Sequence, residues 1–129
     1  MLSRANRLTS SQEFARAVRR GGRAGARTLV LHLADGTLEL PEPRVGLVVS
    51  RAVGNAATRN QVKRRLRHLA RERLTSLPGS AVLVVRALPP ASTASSAQLG
   101  ADLDSALGRV LGRMATRDGG AGAAKVARE

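Results

Sequence analysis

Leu29, Leu31 and Leu33 alternate with Thr28, Val30 and His32 over residues 27–33. That is the period-two pattern of a strand with one face inward. Val45, Leu47 and Val49 repeat it over 44–50. Between these two runs, Asp35-Gly36 is a turn signal, and Pro41 and Pro43 limit either strand. The spacing predicts an antiparallel pair, with an extra short strand near 38–40. Residues 81–88 are apolar apart from Arg86, as expected of a central strand covered by helices.

Elsewhere the apolar period lengthens to that of a helix. "TSSQEF" offers capping-box spacings at Thr9/Gln12 and Ser10/Glu13. Phe14, Ala17 and Val18 line one face of the helix that follows, and Gly21 and Gly22 are expected to end it. A second helix, capped by Asn55 or Thr58, carries Val62, Leu66, Leu69 and Leu77 on one stripe. Its expected end is Ser76 to Gly79. After a loop over 89–98, a third helix is expected from Ser96 to Gly112, with Leu99, Leu103, Ala106, Leu107, Val110 and Leu111 inward. The element order is then αββαβα, a single α+β domain over 1–112. Residues 113–129, rich in Gly and Ala, read as a flexible tail.

Composition changes this picture in two ways. Of 129 residues 43% are hydrophobic, yet Phe14 is the sole aromatic, so the core must be aliphatic. The net charge is +13, a field that favours polyanions. There is no cysteine, hence no disulfide or thiolate metal site. No apolar run approaches the roughly 20 residues that span a bilayer, and the N-terminus has no signal-peptide hydrophobic region. The chain reads as a cytoplasmic protein without a membrane partner.

The charge concentrates in "TRNQVKRRLRHLARER", residues 58–73. Arg59, Lys63, Arg64, Arg65, Arg67, Arg71 and Arg73 face only Glu72 as a local acid. Like charges three or four apart on a helix repel by about 0.2–0.5 kcal/mol a pair, so an external anion is needed to neutralise them. Asn60, Lys63, Arg64, Arg67 and Arg71 form a polar ridge opposite the Val62/Leu66/Leu69 stripe, with Arg59 at its border. Arginine can contact phosphate bidentately and stack on bases. A membrane-surface helix would need a broader apolar face with Trp or Phe.

Catalytic chemistry is not visible. His32 and His68 are the two histidines, and the nine carboxylates have neither metal-site nor acid–base spacing. No catalytic residue and no metal ligand is assigned. Composition alone leaves three readings open: an RNA-binding part of a ribozyme, a ribosomal or other structured-RNA-binding protein, and a DNA-binding module with the basic helix in a groove.

The order of motifs separates them. "RNQVKRRLR" (59–67), preceded by "SRAVGNA" (50–56), resembles the arginine-asparagine-basic signature of the bacterial ribonuclease P protein component. "RLTSSQEFARAVRRGGRA" (7–24) is similar to that family's N-terminal helix, and "AVLVVRALPPA" (81–91) to its later strand. The resemblance covers about residues 1 to 111. It implies a small αββαβα-type sandwich in which the signature helix joins two parallel strands by an unusual left-handed crossover. It also implies one protein bound to one catalytic RNA. The holoenzyme removes the 5′ leader of precursor tRNA by hydrolysis, and the RNA carries the active-site Mg2+. Position by position, Arg59, Asn60, Lys63, Arg64 and Arg67 match the signature and are implied to face the catalytic RNA. Arg71 continues their ridge, and Arg65 falls at a variable position. Phe14, Val18 and His32 match a cleft for the single-stranded leader, although several relatives carry aromatics where Val18 and His32 stand. On residues alone, Phe14 reads as core and His32 as a solvated edge residue.

Overall fold

The computed structural model describes residues 15, 17–19, 22–35, 43–77 and 81–118. Phe14, the expected strand near 38–40 and the chain after Asp118 lie outside the described residues.

Residues 17–19 are helical and precede strand β1 (Gly22–Gly25), strand β2 (Leu29–Asp35) and strand β3 (Arg44–Val48). Helix α1 (Ala56–Glu72), strand β4 (Ala81–Ala87) and helix α2 (Ser96–Asp118) complete the order. β1 was not expected from the sequence, where Gly22 reads as a helix terminator. "GRAG" has no branched or aromatic side chain to mark a strand. It forms because the turn closed by Ala26 N–H donating to Leu29 C=O at 2.8 Å folds it back on β2. Gly22 then pairs with Leu33 and Gly25 with Val30.

The sheet order is β1-β2-β4-β3. The expected antiparallel pair of β2 with β3 does not form, because β4 lies between them. β4 pairs antiparallel with β2 and parallel with β3. The physical reason is burial: Ala81, Val82, Leu83, Val84 and Val85 are each at most 2% exposed. A strand apolar on both faces takes the centre of a sheet and displaces half-polar neighbours outward.

Leu29, Leu31, Leu33, Val45, Leu83 and Val85 meet Val62, Leu66 and Leu69 of α1 and Leu99, Leu103 and Val110 of α2 in the larger core. Each such side chain contributes about 1.5–3 kcal/mol by leaving water. The other face is smaller: Ala34, Val82 and Val84 pack with Ala17, Val18 and Val48. Both helices α1 and α2 therefore lie on one side, and the N-terminal helical residues on the other.

Two helix ends differ from expectation. α1 stops at Glu72, and Leu77 reaches the core from an extended backbone after a short 3-10 turn at Leu74–Ser76. α2 continues past Gly112 to Asp118. Polar ties lock α2 to the sheet. The Thr28 hydroxyl and N–H both donate to Asp102 Oδ2, at 2.6 and 3.1 Å, and Arg109 donates to Gly25 C=O at 2.6 Å.

Candidate RNA-binding surfaces

α1 begins where the chain needs glycine. Gly54 has φ +157°, and a Cβ there would stand 2.9 Å from Thr58 Cγ2. Asn55 then caps the helix, its Oδ1 accepting from Thr58 N–H at 2.8 Å. Of the two expected caps, Asn55 serves. Val62, Leu66, Leu69 and Ala70 are buried, which fixes the rotation of α1 and turns the ridge outward.

Asn60, Arg64 and Arg71 are exposed, and Arg59, Lys63 and Arg67 are half-buried. Among the described residues, none of these five cations pairs with a carboxylate. Nε of Arg59 is buried without a hydrogen-bond partner. The remaining cations of the run behave differently. Arg73 holds Asp104 bidentately at 2.6 and 3.1 Å and also donates to Leu69 C=O at 2.9 Å. The hydrogen bond to Asp104 is the main cause that raises the Arg73 pKa, and the same bond holds the Asp104 carboxyl below its ordinary range. Arg65 Nη1 donates to Ala94 C=O at 3.0 Å. Glu72 faces His68 at 3.3 Å and Arg73 at 3.5 Å. The helix thus separates its cations into some that bind the protein and others without a carboxylate partner among the described residues.

The second basic surface is the sheet face away from α1 and α2. His32 lies on β2 between β1 and β4, and only 7% of it is exposed. This overturns the reading of His32 as a solvated edge residue. Register places Arg23 opposite it on β1 and Val84 opposite it on β4. Arg86 stands beside Val30, and Arg44 beside Val82, on the same face. Burial first, then the charges of Arg23 and Arg86, lower the His32 pKa and keep the ring neutral at physiological pH. Its Nδ1 is buried without a partner. Val18 is half-buried and packs against Ala34, Val82 and Val84, so it and His32 share one face. Arg23, Arg44 and Arg86 were missed in the sequence because each sits singly in an apolar or glycine-rich strand. Their common parity becomes visible only with the register.

No group of three or more His, Cys, Asp or Glu able to hold a metal ion occurs among the described residues. Glu72, Asp102 and Asp104 are each engaged by a protein partner. No described helix is long and apolar enough to cross a membrane.

The Ribonuclease P family model matches residues 2–111. The chain belongs to the ribonuclease P protein family. The ribonuclease P protein component of Nocardioides sp. is 65% identical over 111 residues, covering 85% of this chain and 95% of its own. That of Streptomyces griseus is 54% identical over 119 residues, covering 87% and 97%. Among solved structures, the RNase P protein of Staphylococcus aureus superposes with TM-score 0.70 at 26% identity, covering 79% of this chain and 92% of that one. The RNase P protein of Thermotoga maritima shares the fold, with TM-score 0.68 at 23% identity over 81% and 96% of the two chains. These matches are ribonuclease P proteins rather than ribosomal proteins, which decides against the plain ribosomal reading. Family membership places the chain in tRNA 5′-end maturation and gives it an RNA partner.

Proposed function

We propose that the two basic surfaces divide the work of the ribonuclease P holoenzyme. The ridge of Arg59, Asn60, Lys63, Arg64, Arg67 and Arg71 docks the catalytic RNA, one protein to one RNA. The opposite sheet face, with Val18 and His32, receives the single-stranded 5′ leader of precursor tRNA, together with Phe14, which the family resemblance assigns to the same cleft. The leader is then removed by hydrolysis, with chemistry and Mg2+ carried by the RNA. The observation that supports this reading most is the row of ridge cations with no carboxylate partner among the described residues, on a helix already docked by its leucines. Phosphate binding fills that need, because Lys and Arg release counterions from a polyanion when they contact it.

Reconstitution tests the division. Repurified protein with Mg2+ alone is expected to leave precursor tRNA intact, and protein with its RNA to cleave it. Phe14→Ala is expected to leave RNA assembly unchanged. It should weaken holoenzyme binding of precursor tRNA, by about 1–3 kcal/mol if the ring stacks a base, without touching tRNA that lacks a leader. Equal losses on both substrates would remove the leader from this face.

A further inference from the structure

A half-open groove of about 390 Å³ lies between the middle of α1 and the first turn of α2, lined by Arg64, Arg65, His68, Leu69 and Ser96. Its size is at the lower end of the roughly 300–1,000 Å³ typical of small-ligand sites. Leu69, 8% exposed, supplies an apolar wall. Arg65 sets the chemistry. Its bond to Ala94 C=O fixes the guanidinium, and no carboxylate among the described residues neutralises it. A held guanidinium is a flat cationic plate, and unstacked bases pack on such plates. The rim continues into the ridge through exposed Arg64 and half-buried Lys63 and Arg67. A slot with a planar cation inside and phosphate-binding cations outside has the polarity of a nucleotide, with base inward and backbone outward. The charge on this rim favours a polyanion over a peptide.

We propose that this groove takes one unstacked nucleobase of the RNA partner, with Arg65 as the stacking plate and Arg64 on the adjoining phosphate. The inference rests on the RNA-facing reading of α1. It gives a role to Arg65, which stands apart from the outward ridge.

The test uses the full chain and the ribonuclease P RNA of the same genome, with affinity measured at several salt concentrations. Ser96→Leu fills the groove from an exposed position, and Arg65→Lys keeps the charge but loses the plate. Melting temperatures report whether each variant folds. Both are expected to bind about fivefold or more weakly, since stacking is lost, with the salt slope unchanged because no phosphate contact is removed. Lys63→Ala, on the ridge, is expected to flatten that slope. Full affinity in either groove variant, beside an impaired Lys63→Ala, overturns the nucleobase site and leaves the ridge standing. A loss in the groove variants that comes with a shallower slope overturns it too. An unaffected Lys63→Ala overturns the RNA-facing reading of α1 itself.

Discussion

At the scale of single residues, the cations of α1 sort by partner. If the ridge docks RNA as proposed, Lys63→Ala and Arg64→Ala should each lower the slope of log affinity against log salt by about 0.7–0.9. Melting temperature should hardly move, because neither side chain has a partner carboxylate among the described residues. Arg73 and Asp104 give the opposite result. Asp104→Asn should cost about 0.5–1 kcal/mol of stability, a modest figure because the carboxylate is 62% exposed, and should leave RNA affinity alone. The pair also has a pH signature. The Asp104 pKa lies below its ordinary 3.8, so its contribution is full above that value and is lost as pH falls through the lowered one. Urea titrations from pH 6 down to about pH 2 should show this loss in the wild type and not in Asp104→Asn. His32 acts in a different window. Its folded pKa is lowered from 6.5, so the unfolded chain takes up the proton first. Stability should therefore decline as pH falls below about 6.5, and His32→Gln should remove that part of the decline.

At the scale of elements, the start of α1 depends on two neighbouring residues with different tasks. Asn55→Ala deletes the acceptor for Thr58 N–H and should cost about 1 kcal/mol. Gly54→Ala forces a Cβ against Thr58 in a backbone region that side chains avoid, and should cost about 1–3 kcal/mol. Thr58→Ala beside it should relieve part of that cost, a coupling that thermal melts of the double variant would measure. The cap was legible in "NAAT" as one of two candidates, as was the stripe of Val62, Leu66 and Leu69, because capping and helical period are local, whereas the positive φ of Gly54 shows only in the backbone. The end of α1 was not. Leu77 fits the helical stripe by number, yet it is buried from an extended backbone, and periodicity cannot tell the two apart. The strand "GRAG" was invisible for a related reason: it becomes a strand only by pairing with β2.

At the scale of the whole molecule, the expected pairing of β2 with β3 failed because alternation identifies strands but does not rank their neighbours. The ranking came from β4, whose burial on both faces demands the centre. The ridge could be read from one helix. The opposite basic face could not, since Arg23, Arg44 and Arg86 come from three strands and meet only through register. α2 runs unbroken past Gly112 to Asp118. Truncation after Asp118 removes a segment rich in Gly and Ala. It should leave the melting temperature within a degree or two (roughly 0.5 kcal/mol or less) and RNA affinity within about twofold, with a larger shift showing that the segment packs.

The central place of β4 also sets a timetable for synthesis. The ribosome completes α1 at Glu72 before it makes the strand that joins β2 to β3 and closes the core beneath that helix. About 15 residues separate Glu72 from Ala87, or about 1–3 s at roughly 5–20 residues per second. The same interval recurs when these residues leave the ribosome, and the emerged chain then carries the leucine stripe of α1 before β4 has joined the floor beneath it, with a row of cations close to ribosomal RNA. Slowing translation while residues 73–87 are emerging should therefore raise adhesion and aggregation of the newborn chain, with no change in the aggregation of the finished protein.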